Sequence, residues 1–369
     1  MKELLDILDA VPRLAAGGER LALATIVSVR GSTYRREGAR LLLSAGQQMV
    51  GSISGGCLES DIVVVADQVM AAGTPRLVTY DLTADDDAVW GLGLGCNGAV
   101  DVFVEPLDPA SSQVKLLAEV IAAEQTAALA KILDGPRAGR WMLVRSGGER
   151  VESLGDPALD ERAARASAAG MTEGASRMIA LSGGDGDARV FIEVLRPPVR
   201  LIVCGAGHDA VPVVQFAAQL GWRTVLVDQR QRFLTTDRFP GAQRFVRAEP
   251  AEAACAVPID DRTYVAVMTH NFLHDRDLLR GFLATPVRYI GMLGPRLRTE
   301  KILDDLAAAG VTVASEDRAR IYGPIGLDIG GEGPEAIALA LLGEIHAVEA
   351  GRAGGLLRDR KGPIHAPAR

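Results

Sequence analysis

The sequence predicts an α/β protein: a mixed α/β first half, then a doubly wound parallel sheet. Three observations carry this. In the second half, apolar strand patterns alternate with helical ones, an order that sandwiches a parallel sheet between two helix layers. The first strand of that series, Val199 to Cys204, runs into a glycine turn, a helical stretch and a second strand ending in Asp228. Between the halves stands Arg196-Pro197-Pro198, where two prolines deny donors to any sheet and stiffen the link. The expected domains are therefore 1–196 and 197–350, followed by a tail over 351–369 whose glycines, prolines and basic residues suggest disorder.

Composition bounds the function. The 369 residues are 48% hydrophobic, ample core for two or three domains. A net charge of −7 with both signs mixed gives no basic footprint for nucleic acid or an anionic membrane surface. No apolar run approaches the roughly 18 residues of a spanning helix, so a cytoplasmic protein is expected. The four cysteines, 57, 96, 204 and 255, form no CxxC pair and suit reduced thiols. Five histidines make a zinc site built by the protein itself an unexpected feature.

In the first half, Leu4, Leu8, Val11 and Ala15 mark a helix closed by Gly17 and Gly18. A strand over Leu21 to Val29 follows, then the turn GSTYRREG with Arg35 and Arg36, and short strands over Ala39 to Ser44 and Met49 to Ile53. These lead to GSISGGCLES, Gly51 to Ser60, and to a helix patterned by Leu58, Ile62, Val65, Ala66 and Val69. Cys57 is expected at that helix's N-terminus, where free N–H groups and the dipole favour a thiolate, with Glu59 partly opposing. Its alternative is a small buried hydrophobe, but Gly55 and Gly56 clear bulk for a ligand's approach. Arg35 and Arg36 are solvated turn charges or the completion of an anion site. Further on come a strand over Arg76 to Leu82, an acidic loop at Asp85 to Asp87, and GLGLGCNG, Gly91 to Gly98, which presents Cys96 before the strand Ala99 to Glu105. Ser112 is expected to cap a helix. Strands over Thr126 to Leu133 and Arg140 to Arg145, a helix from Asp156-Pro157, and a strand over Arg189 to Leu195 complete this half.

The second half carries the more specific motif. Gly205-Ala206-Gly207-His208-Asp209-Ala210 opens a helix, and Asp228 ends the next strand roughly 20 residues on, where a ribose hydroxyl acceptor belongs. This is a dinucleotide-type fingerprint in its proper context, a Rossmann-like arrangement in which the helix N-terminus faces a pyrophosphate; the same turn also occurs in doubly wound folds that bind nothing there. Strands over Tyr264 to Thr269 and Val287 to Met292 alternate with helices from Asp275, Pro295 and Pro334. Ligands gather at the carboxyl ends of such strands, here His208, Asp228, Thr269-His270 and Gly291 to Arg296. His270 and His274, in a strand-to-helix loop with Asp275, read as a polar lip rather than metal ligands.

The motifs GSTYRREGARLLL, GSISGGCLE and GLGLGCNGAVDVFVEPL, with LIVCGAGH, VLVDQR, VMTHNFLHD, YIGMLGPRLR and GPIGLDIGGEGPEAIALALLGEI, together resemble the XdhC/CoxI accessory proteins of molybdenum hydroxylases such as xanthine dehydrogenase, over nearly the whole chain. The resemblance implies an XdhC/CoxI-type first domain and a chaperone. It would bind molybdenum cofactor, as molybdopterin or its nucleotide form, hold it while a terminal oxygen is exchanged for sulfur, and hand it to an apo molybdenum hydroxylase. It further implies a cysteine desulfurase as partner and a homodimer. Cys57 would be the cofactor-associated thiol, contacting molybdenum or relaying sulfur, with Cys96 as a second candidate. Cofactor contacts would come from Arg35, Arg36, Gly55 and Gly56, and from Gly205, Gly207, His208, Asp228, His270, Gly294 and Arg296 around a nucleotide or NAD(P). The chain departs from the family at Asn97, commonly glycine, and at Ala210. Two alternatives stand beside this: an NAD(P)-dependent oxidoreductase with His270 as general acid, and a sulfurtransferase carrying a persulfide on Cys57.

Overall fold

The computed structural model describes residues 1–81, 98–184 and 186–361, which fall into two compact units, Met1–Pro197 and Pro198–Arg369. The first unit opens with α1 (Lys2–Ala16), which buries Leu4, Ile7, Val11 and Leu14 at helical spacing. β1 (Leu21–Gly31), β2 (Arg40–Ser44) and β3 (Met49–Gly51) then meander, α2 (Glu59–Ala72) crosses, and β4 (Arg76–Asp81) and β5 (Gly98–Leu107) complete an antiparallel sheet of order β3-β2-β1-β5-β4. Strand alternation explains its two faces. Ala22, Ala24 and Ile26 of β1 pack with Ile62, Val65 and Val69 of α2, while Leu23 and Val27 belong to other core clusters.

The same plan then repeats. α3 (Ser112–Ala122), β6 (Ala127–Ile132), β7 (Trp141–Arg145), β8 (Arg150–Glu152), α4 (Pro157–Glu173), β9 (Arg177–Gly183) and β10 (Gly186–Leu195) form a second antiparallel sheet of order β8-β7-β6-β10-β9. Helix, three strands, helix and two strands thus recur in one order. Val27 and Phe103 of the first copy pack with Leu133 and Phe191 of the second. Buried pairs also join the copies: Arg40 with Glu193, and Lys131 with Glu105, the lysine donating in addition to Gln113 Oε1 at 3.1 Å.

β8 and β9 were not legible as strands; the cap of α3 is Ser111, whose Oγ accepts from the Val114 N–H at 3.4 Å, rather than Ser112. Cys96, with the acidic loop before it, lies outside the described residues.

The second unit is a six-stranded parallel sheet of order β13-β12-β11-β14-β15-β16. Its strands are β11 (Arg200–Cys204), β12 (Arg223–Asp228), β13 (Arg244–Arg247), β14 (Thr263–Val267), β15 (Tyr289–Met292) and β16 (Ile321–Tyr322). Helices cover both faces: α5 (Ala210–Gln219), α6 (Ala253–Ala256), α7 (Phe272–Leu283), α8 (Arg296–Ala308), α9 (Ser315–Ala319) and α10 (Pro334–Glu349). Alternate residues of β11 feed the two cores. Leu201 and Val203 pack with Val213 and Val214 of α5 and Leu341 of α10, and Ile202 and Cys204 with Leu279 of α7 and Ile302 of α8. No helix among the described residues is long and apolar enough to cross a membrane.

Candidate functional site

In the first unit, Cys57 is half-buried between β3 and α2, against the core under that helix. The helix begins at Glu59, so Cys57 stands at its N-terminal end, one residue before the N-cap, Leu58. The turn is held by a side-chain network. Ser54 Oγ accepts from the Gly56 N–H at 3.0 Å and the Leu58 N–H at 3.2 Å, and donates to Glu59. Glu59 also accepts from the Ser54 N–H at 3.1 Å and the Leu58 N–H at 3.2 Å. Glu59, the first residue of the helix, thus ties the turn to the helix start while its carboxylate stands beside the thiol. Gly55 and Gly56 are exposed, with open space where a side chain would stand. Glu3, from α1, braces the approach to this turn, accepting from the Ser52 N–H at 3.1 Å, the Arg40 N–H at 2.7 Å and Arg35 at 2.7 Å. Arg35 therefore holds a carboxylate, and Arg36 is half-buried in the same turn. Glu3 and Ser54 escaped sequence reading, because neither spacing matches a standard capping pattern.

In the second unit, β11 delivers the chain to Gly205, whose φ of +111° and a would-be Cβ only 2.6 Å from the Met268 carbonyl oxygen admit no side chain. Gly207 faces open space, the condition for close approach of a ligand. His208 is exposed, and Asp209, beside the start of α5, accepts or shares a proton with His270 Nε2 at 3.0 Å. His270 itself has φ +59°. α7 starts at Phe272, capped by Asn271 Oδ1 accepting from the Leu273 and His274 N–H groups at 3.0 and 3.1 Å. That is three residues earlier than expected, so His274 lies on the helix and His270 alone in the loop. Asp275 is buried, taking Thr269 Oγ1 at 2.5 Å and Arg298 at 2.6 Å. Gly294, at φ +123°, and exposed Arg296 follow β15.

A cavity of about 180 Å³ opens at the carboxyl ends of these strands, lined among others by Gly205, Asp228, Ala248, Asn271, His274 and Leu278. Its lining is mixed, with Asp228, Gln229, Arg230, Thr269, Asn271 and His274 alongside Val227, Ala248, Ala253 and Leu278. Asp228, its side chain 4% exposed, accepts at Oδ2 from the Ala206 N–H at 2.8 Å and Arg230 Nη2 at 2.8 Å, and at Oδ1 from the Arg230 N–H at 2.8 Å and Nε at 2.9 Å. Burial pushes its carboxyl up, but Arg230 and the two N–H groups outweigh this and hold it below the usual carboxylate range. Cys204 also lines the cavity; burial, with Asp275 and Asp228 nearby, pushes its thiol well up, which makes it a neutral packing group.

These features match known proteins along most of the chain. Residues 201–345 match the model of the XdhC Rossmann domain, and residues 14–81 that of the XdhC and CoxI family. A Bacillus subtilis protein named as a probable subunit of xanthine dehydrogenase is 30% identical over 332 residues, 89% of this chain and 92% of that protein. The molybdenum cofactor insertion chaperone PaoD of Escherichia coli is 22% identical over 331 residues, 90% of this chain and 84% of that protein. A crystal structure described as that of a xanthine dehydrogenase from Bacillus halodurans superposes with a TM-score of 0.75 at 29% identity, over 96% of each chain. With a glycine-borne thiol turn in one unit, a Rossmann sheet in the other, and a relative matched nearly end to end, the chain belongs to the XdhC and CoxI family.

Proposed function

We propose that this protein is a maturation chaperone that binds molybdenum cofactor as cargo, supports its sulfuration and delivers it to a molybdenum hydroxylase such as xanthine dehydrogenase. The observation that carries the reading is the Cys57 turn: a half-buried thiol held by Ser54 and Glu59 beside two exposed glycines, in a chain related to a molybdenum cofactor insertion chaperone. A thiol so placed can meet the sulfur-rich metal centre of the cargo or relay sulfur to it. Arg35 would offer the cargo's phosphate a guanidinium in exchange for Glu3, with Arg36 beside it and Gly55 and Gly56 giving access. On the second unit, Gly205, Gly207, His208, Asp228, His270, Gly294 and Arg296 frame a nucleotide site, for the nucleotide form of the cargo or for NAD(P). The reading takes a cysteine desulfurase as sulfur donor and a cytoplasmic homodimer as the working state.

The test is replacement of Cys57 by Ala. The fold tolerates a small residue there, so the variant is expected to melt near the wild type while co-purifying much less molybdenum, measured by mass spectrometry, and activating apo-hydroxylase poorly. Equal molybdenum in the two proteins would make Cys57 a packing residue and sink the assignment of the turn.

A further inference from the structure

Beyond Asp228 the chain makes a tight turn, Gln231–Phe233, and three guanidinium groups converge on one aromatic ring. The Phe233 centroid lies 4.2 Å from the guanidinium carbon of Arg230, 4.7 Å from that of Arg238 and 5.1 Å from that of Arg232. Arg247 ends the neighbouring strand in register with Asp228. Arg230 is paired with Asp228. Arg238 donates to the Phe233 carbonyl at 3.2 Å, and among the described residues neither it nor Arg232 forms an ion pair. The ring face offsets part of the mutual repulsion, but guanidinium groups gathered this closely are best satisfied by an anion of more than one charge. Arg230 lines the cavity at the strand ends, so the cluster adjoins that cavity through Arg230.

The state of Asp228 sharpens the point. A carboxylate has about four acceptor positions, and Ala206 and Arg230 occupy four with the bonds described above. A plain ribose diol therefore meets no open acceptor unless Arg230 is displaced from a buried charge. A phosphate carried on the ribose needs no acceptor from Asp228, whose charge Arg230 already pairs, and meets Arg232 and Arg238 as they stand.

We infer that Arg230, Arg232 and Arg238, arrayed on Phe233, form a subsite for a phosphate carried on the ribose of a bound nucleotide, so that the second unit prefers a ribose-phosphorylated nucleotide to its unphosphorylated counterpart. This rests on the nucleotide-site reading above. Calorimetric titration of the full chain with NADP⁺ and NAD⁺, and with 2′-AMP and 5′-AMP, tests it. The expected result is tighter binding of NADP⁺ and 2′-AMP by about tenfold, the worth of one charge-assisted hydrogen bond. Replacing Arg232 and Arg238 together by Ala should erase that margin and leave NAD⁺ binding within about twofold of wild type, a factor below half a kcal/mol. Should the double variant melt early, Arg232→Gln, at an exposed position, carries the same comparison. Equal binding of the two dinucleotides by wild type, or a margin that survives the substitutions, overturns the subsite and leaves the nucleotide site standing. No binding of any of the four overturns both.

Discussion

Ser54 gives the Cys57 turn its shape: one hydroxyl accepts two backbone N–H groups and donates to Glu59. Replacing Ser54 by Ala orphans the Gly56 N–H, leaves the Leu58 N–H to Glu59 alone and should lower stability by about 1–2 kcal/mol in urea unfolding, with molybdenum retention falling even though Cys57 is untouched. An unchanged midpoint would mean that Glu59 alone holds the turn. Asp228 makes a pH-dependent contribution. Its folded carboxyl titrates below the ordinary range, so the stabilisation is complete above that range and is lost as pH falls through the folded value. The stability gap between wild type and Asp228→Asn should therefore be widest near neutrality and close below about pH 4. A gap independent of pH would show that packing, not charge, sets the role of Asp228. Cys57, Gly205, Gly207 and Asp228 were legible from residue type and spacing. The partners that occupy Asp228 and brace the Cys57 turn were not, since Ala206, Arg230 and Ser54 act through hydrogen bonds that depend on backbone direction.

At the scale of elements, the β11 turn is the most constrained. Gly205→Ala places a Cβ against the Met268 carbonyl at a φ of +111°, and a loss of about 1–3 kcal/mol is expected in thermal or urea unfolding; a loss under half that would mean the β14 end moves freely. The long, apolar or strongly periodic elements could be read from sequence: α1, α2, β1, β5, β11, β12 and β14. The missed strands share a cause. β8 and β9 are the two edges of their sheet and β13 and β16 the two edges of the parallel one, and all four are partly exposed, as in Arg150-Val151-Glu152 and Arg244-Phe245-Val246-Arg247. Such segments become strands through a neighbour's hydrogen bonds, not through their own burial pattern. The start of α7 was misplaced because Asn271, its cap, sits in a run of polar residues with several eligible cap positions.

For the molecule as a whole, each unit has its own cores, with both faces of the parallel sheet covered by helices from within Pro198–Arg369. Residues 198–361 expressed alone should therefore unfold in one cooperative urea transition, and a broad, non-cooperative profile would show that this unit depends on the first. The sequence by itself determined the α/β class, the parallel sheet and the glycine turns, because these rest on local periodicity and on φ values that few residues tolerate. It also carried the family, through motifs spread along the chain. Tertiary structure alone decided that the first unit is one plan built twice, with strand order β3-β2-β1-β5-β4 repeated as β8-β7-β6-β10-β9. The two copies share topology without sharing a residue pattern, and strand order is set by which edges pair across long stretches of chain. Structure alone also decided that three arginines meet on Phe233 while Asp228 is filled, since both depend on side chains converging from a turn whose path no spacing rule encodes.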